Sequence, residues 1–188
     1  MIEAFLSTYF DNPAGETVKP NLKIHHPVIR RIYEEYGICT SKDGFHRIID
    51  PEKWQEYYMP WFLLIRDEGD GIFNGLELYP FITTGFGHAY IFANLEDEDL
   101  VGYIDISDNF NTMGSAKSFF LRNLNDPIFY NFNLKGEIYK DISPIEPPLT
   151  PDECFAQELH LHNGRKALPA ERIWECLRHR FRGSASAF

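Results

Sequence analysis

Basic residues are missing from the middle of this chain. Between Asp67 and Ala116 there are ten Asp or Glu and no Lys or Arg. The whole sequence, 188 residues long, carries a net charge of −10. That balance argues against direct binding to nucleic acid, where basic surface supplies most of the affinity. Paired cysteines are also missing. Cys39, Cys154 and Cys176 are odd in number and far apart, which speaks against a disulfide framework and for a reducing compartment. No apolar run approaches the roughly 18 residues that a membrane-crossing helix needs. The opening "MIEAFLSTYFDNP" has neither the basic n-region nor the long apolar h-region of a secretion signal. These absences predict a soluble, cytoplasmic protein that works away from membranes.

Reaction motifs are equally scarce. The chain contains no G-x-S-x-G, no HExxH and no CxxC. The turn-like segment Thr83–His88, T-T-G-F-G-H, lacks the lysine of a phosphate loop and the three-glycine spacing of a dinucleotide site. The bland account of it is a strand that bends at Gly85 and Gly87 so that a neighbouring backbone can approach closely. His160 and His162 lie two apart, so on a helix they point to different sides, and the adjacent His25 and His26 have the same difficulty. No catalytic residue, metal ligand or cofactor is therefore assigned, and the chain reads as a binding protein. The alternative left open is a metal-dependent hydrolase assembled from distant His and Asp residues.

What is present is apolar and aromatic. Hydrophobic residues make up 44% of the sequence and aromatics 15%, enough for one domain to build a core without staples. Ile2, Phe5, Leu6, Tyr9 and Phe10 recur at helical spacing. A second helix begins at Pro27 and ends at Gly37. Asp43-Gly44 marks a hairpin turn. Asp50 caps a short helix that starts at Pro51 and closes at Pro60. "WFLLIRD", "GIFNGLELYP", "GHAYIFANL", "LVGYIDIS" and "IFYNFNL" read as strands. Their short connections favour antiparallel pairing. "SAKSFFLRNL" reads as a helix before the last of them. In the tail, Thr150, Pro151 and Glu153 look like a helix start with a capping box, and "LPAERIWECLRHRF" reads as a further helix. The expectation is an α+β domain spanning 1–188, with an antiparallel or mixed central sheet, helices at both ends of the chain, and a helical C-terminal extension over 150–182.

Two stretches resemble a known family. "YEEYGICTSKDGFHRIIDPEKWQEYYMPWF" resembles the GAD-like domain, in which a helix ends in Tyr-Gly, Asp-Gly-Phe opens a strand, and an Asn/Asp-Pro helix leads to a Trp. The matching residues are Tyr36, Gly37, Asp43, Gly44, Phe45, Asp50, Pro51 and Trp61. "YPFITTGFGHAYIF" resembles the family's Thr-x-Phe-Gly-Asp strand through Thr84, Phe86 and Gly87, with His88 in place of the Asp. "VGYIDIS" fits the strand that follows. The resemblance covers residues 27–125. The family's Pro-Ala-Leu-(Ala/Gly)-Leu-Gly-Gly segment is not found, and "HLHNGRKALPAERIW" stands in its region.

The resemblance implies an immunity protein of a bacterial type VI secretion system, which binds and occludes a cognate DNase toxin. A regulatory protein-binding scaffold of the wider immunity superfamily is the other implied role. The acidic middle would then meet the toxin's basic cleft, since complementary charge steers association. The candidate contacts are the acids Glu96, Asp97, Glu98, Asp99, Asp105 and Asp108 and the aromatics Tyr79, Tyr90, Tyr103 and Phe110. The other reading of these acids is an ordinary solvated face. The basic stretch from Arg165 to Phe188, with six Lys or Arg, is a second possible contact.

Overall fold

Pro27 and Pro51 stand at the first positions of two helices, where a missing N–H costs nothing. The computed structural model describes residues 2–11, 27–68, 75–95, 98–105, 110–129, 136–142, 153–155 and 167–169. In chain order these form α1 (Ile2–Tyr9), α2 (Pro27–Glu35), β1 (His46–Ile48) and α3 (Pro51–Glu68). Then come β2 (Tyr79–Thr84), β3 (Ala89–Leu95), β4 (Glu98–Asp105) and β5 (Phe110–Ser115). They are followed by α4 (Ala116–Asn125), α5 (Gly136–Ile142), β6 (Glu153–Phe155) and β7 (Ala167–Pro169). Strands β1 to β5 make one antiparallel sheet in chain order, and β6 pairs with β7 separately. The fold is α+β, with helices before and after the sheet.

Short polar residues build the entrances. Asp50 Oδ1 accepts from the N–H of Glu52 at 3.0 Å and of Lys53 at 3.4 Å, satisfying two orphan donors of α3. Asp43 Oδ1 accepts from Ser41 Oγ at 2.6 Å and from Phe45 N–H at 3.1 Å, which closes the turn into β1.

The sheet is covered on both faces, and the strand alternation shows how. Tyr90 and Phe92 on β3, with Val101 and Tyr103 on β4, join the core cluster beneath α1, α2 and α4. Ala89, Ile91 and Ala93, with Leu100 and Ile104, join a second cluster beneath α3. On this second face the cross-strand pairs match small with large: Ala89 opposite Ile104, Ile91 opposite Gly102, Ala93 opposite Leu100. That leaves room for Trp54, Tyr58, Trp61 and Phe62 of α3, all buried. On the other face the pairs are large with large, Tyr90 opposite Tyr103 and Phe92 opposite Val101. A register irregularity between Pro80 and Ile82 lets Phe81 and Ile82 both reach the first cluster.

The T-T-G-F-G-H segment is the β2–β3 connection. Thr84 N–H bonds His88 O at 2.9 Å, and Gly87 N–H bonds Thr84 O at 2.9 Å. This is a three-residue hairpin loop whose last member, Gly87, has φ of 79°, the left-handed conformation such loops require. The two glycines serve different needs. Gly87 supplies the backbone angle. Gly85 supplies space, because a Cβ there would lie 2.3 Å from Tyr139 Cε2 of α5. The close neighbour is a side-chain ring and not the backbone expected. Gly87→Val should lower stability by roughly 1–3 kcal/mol through backbone strain alone. Denaturant melts of the two proteins measure it, and equal midpoints would remove the requirement.

Three expectations need correction, and one strand, β5, is unanticipated. "WFLLIRD" is helix, because α3 runs on through Pro60 to Glu68. The apolar stripe at 54, 58, 61 and 62 is helical and anchors both halves to the sheet, which outweighs the roughly 3 kcal/mol a mid-helix proline costs. Ile128 and Phe129 of "IFYNFNL" belong to a helical turn, where Asp126 Oδ1 accepts their N–H groups at 2.9 and 3.3 Å. β5, polar in sequence, is a strand held by its ladder to β4. In the tail, Glu153–Phe155 and Ala167–Pro169 are strands, not helix, each satisfying the other's backbone groups. The rest of the expected 150–182 extension, including His160 and His162, lies outside the described residues, as do His25 and His26.

Candidate partner-binding groove

Two short helices and the rim of the sheet enclose a groove of about 560 Å³. Ile2 and Leu6 of α1, Val28 and Ile32 of α2, and Ala116 of α4 give it apolar lining. Its charged lining is Glu3 on α1, Arg31 and Glu35 on α2, Glu98 and Asp99 at the start of β4, and Lys117. Four carboxylates face two cations, so the groove is acidic on balance.

The internal pairing sharpens that balance. Arg31 bonds Glu3 through one terminal nitrogen and Glu35 through Nε at 2.5 Å, bridging α1 and α2. All three side chains are largely exposed, so solvent screens these pairs and they exchange partners readily. Asp99 takes a hydrogen bond from Asn94 Nδ2 at 3.3 Å, which fixes it at the tip of the β3–β4 hairpin. Glu98, opposite Leu95, is exposed.

The sequence-derived contacts divide. Glu98 and Asp99 both line the groove. Tyr79 is half-buried at the start of β2, with its hydroxyl donating to the Glu77 carboxylate, and burial followed by that bond raises its pKa. Tyr90 and Tyr103 must be struck from the surface: they are 0% and 3% exposed and form a ring pair inside the core. Both faces of the sheet are covered, so side chains of either phase on β3 and β4 point into a core. Asp105 is also buried, with Oδ1 3.3 Å from His88 Nδ1. Phe110 begins β5 opposite Asp105. Glu96, Asp97 and Asp108 lie outside the described residues. Glu3, Arg31 and Glu35 were missed. The i,i+4 spacing of Arg31 and Glu35 marks a polar helix face, but nothing local brings that face to the hairpin.

The buried polar groups are structural in their contacts. His88 is fully buried beneath Tyr103 and Phe86, and its carbonyl accepts from Thr83 Oγ1 at 3.0 Å. Arg47, also buried, donates from a terminal nitrogen to Thr84 O at 2.9 Å. Cys39 is half-buried, and burial pushes its thiol up to about 11, which makes it a poor nucleophile at neutral pH. Among the described residues no three His, Cys, Asp or Glu side chains converge as metal ligands. No described helix is long and apolar enough to cross a membrane. No protein-family model matches this chain, and no curated protein matches it.

Proposed function

We propose that this protein neutralises a cognate toxin, a DNase, by binding and occluding it, in the manner of the GAD-like immunity proteins. The observation that carries the reading is a coincidence. Of the acids singled out by charge, Glu98 and Asp99 line an apolar-based groove. A groove with an apolar base and an acidic rim suits an arginine- or lysine-bearing segment, since the stem packs while the head finds a carboxylate. Glu3 and Glu35 can pass from Arg31 to an incoming cation at little cost, because the present pairs are solvated. The residues behind the family resemblance also act together: Asp43, Asp50 and Gly87 form the turns and caps that hold the helices to the sheet. The hydrolase alternative has less support, because its best His–Asp pair, His88 and Asp105, is in the core.

Two measurements test the reading. Co-expression with the toxin encoded beside it should restore growth and yield a stable complex, and neither occurring would overturn it. In association kinetics the on-rate should fall with added salt, because the Debye length is about 8 Å at physiological ionic strength. Replacing Glu96, Asp97, Glu98 and Asp99 together by Ser should slow association several-fold, an order-of-magnitude expectation from electrostatic steering. Dissociation should change less. A variant that associates as fast as the wild type, at a rate indifferent to salt, would leave the acids as a solvated face.

A further inference from the structure

We infer that His46 makes the groove acid-labile: protonation of this buried imidazole releases α1, and with it one wall of the groove. The proposal rests on the docking reading only for the consequence of that release.

His46 is fully buried at the start of β1. α1 covers it with two rings, Phe5 at 5.5 Å and Tyr9 at 5.0 Å between centroids, and Phe45 and Tyr90 close the other sides. His46 Nε2 lies 3.0 Å from Tyr90 Oη, which in turn lies 3.3 Å from Asn123 Oδ1. Among the described residues Nδ1 has no hydrogen-bond partner. The imidazolium carries N–H on both ring nitrogens, so whichever nitrogen takes the second proton, its Nδ1–H stands among aromatic rings with no acceptor.

Among the described residues the charged and titratable groups around the imidazole include Tyr9 on α1, Asp43 in the preceding turn, Arg47 next in the chain and Tyr90 on β3. α4 contributes the neutral Asn123 through Tyr90. Burial lowers the imidazole to about 4, against a smaller opposing pull from the Asp43 carboxylate. An exposed histidine takes its proton near 6.5. Between these values the open form binds more protons than the closed one. The closed form is fully favoured above about pH 6.5 and loses ground as pH falls towards 4.

α1 is the element that yields. It has eight residues, short of the roughly 12–15 an isolated helix needs, so packing holds it. Its attachments include Ile2, Phe5, Leu6 and Phe10 in the core, a backbone bond from Lys42 N–H to Tyr9 O, and the exposed Lys42–Asp11 and Arg31–Glu3 pairs. Of the other rings around His46, Tyr90 belongs to the hydrogen-bonded sheet and Phe45 to the turn that enters β1. When α1 lifts, Ile2, Glu3 and Leu6 leave the groove with it.

Hydrogen exchange read by mass spectrometry tests this on the free protein. Between pH 7.5 and 5.5, after correction for intrinsic rates, protection of residues 2–10 should fall about tenfold, as one proton binding near pH 6.5 dictates. Protection of residues 89–105 should hold. In His46→Gln the fall should vanish, although Asp43, Glu3 and Asp11 are all retained. An equal fall in the variant, or none in the wild type, overturns the proposal. His46→Leu serves as the second neutral variant. Should neither fold, histidine NMR of the wild type decides: an imidazolium signal appearing in step with α1 exchange supports release, and an imidazole still neutral when α1 is lost refutes it. No partner enters the measurement, so its failure leaves toxin docking standing, and failed docking leaves α1 release standing.

Discussion

Gly85→Val should destabilise the protein by about 3 kcal/mol, the upper part of the usual range for overpacking. The Cβ alone would stand 2.3 Å from Tyr139 Cε2 and 2.5 Å from Cδ2, closer than carbon atoms can approach. The ring cannot slide away freely. Its hydroxyl donates to Gly44 O at 2.8 Å, and Phe45 and Phe86 pack on it with centroids at 5.0 and 6.2 Å. Tyr139 thus ties α5 to two turns at once, the one before β1 and the one between β2 and β3. Tyr139→Ala should also cost about 3 kcal/mol, from lost burial and the cavity left behind. The double variant should cost less than the sum by more than 1 kcal/mol, because removing the ring removes the clash. Strictly additive losses in chemical denaturation would mean that valine disturbs something other than Tyr139.

Trp61→Ala should have the larger effect, about 4 kcal/mol, as expected for a fully buried tryptophan. Trp61 is 1% exposed and lies one turn beyond Tyr58, with ring centroids 6.0 Å apart. Its burial is what holds the second half of α3 on the sheet after Pro60 has broken the backbone ladder. The same substitution should raise exchange of the amides after Pro60 more than of those at 52–58. A loss below 1 kcal/mol, with exchange unchanged, would show that α3 is held elsewhere.

The helix entrances were legible because their signals are local. Pro27, Asp50-Pro51 and the Asp43 turn each act within a few residues of themselves. β3 and β4 were legible from aromatic and β-branched density. α3 was not, because "WFLLI" is a continuous apolar run, which fits a buried strand and a buried helix equally. The stripe that decides the matter, from Trp54 to Phe62, crosses a proline that reads as a stop. β5 and the β6–β7 ribbon escaped because their partners, not their composition, make them strands. The groove escaped for the same reason on a larger scale. Its acids at 98 and 99 were visible, but Glu3, Arg31 and Glu35 reach them only through the packing of α1 and α2.

The roof on each face of the sheet has a consequence for descent. Among the described residues the helix exteriors and hairpin tips are free to change, while the strand interiors and the small-with-large pairs are fixed by their neighbours. Glu98, Asp99 or Glu35 can therefore be rewritten without renegotiating Ala89 with Ile104 or Ile91 with Gly102. Variation among relatives should follow that division, free and rapid at the rim, and in the interior confined to paired exchanges in which one side chain grows as its partner shrinks.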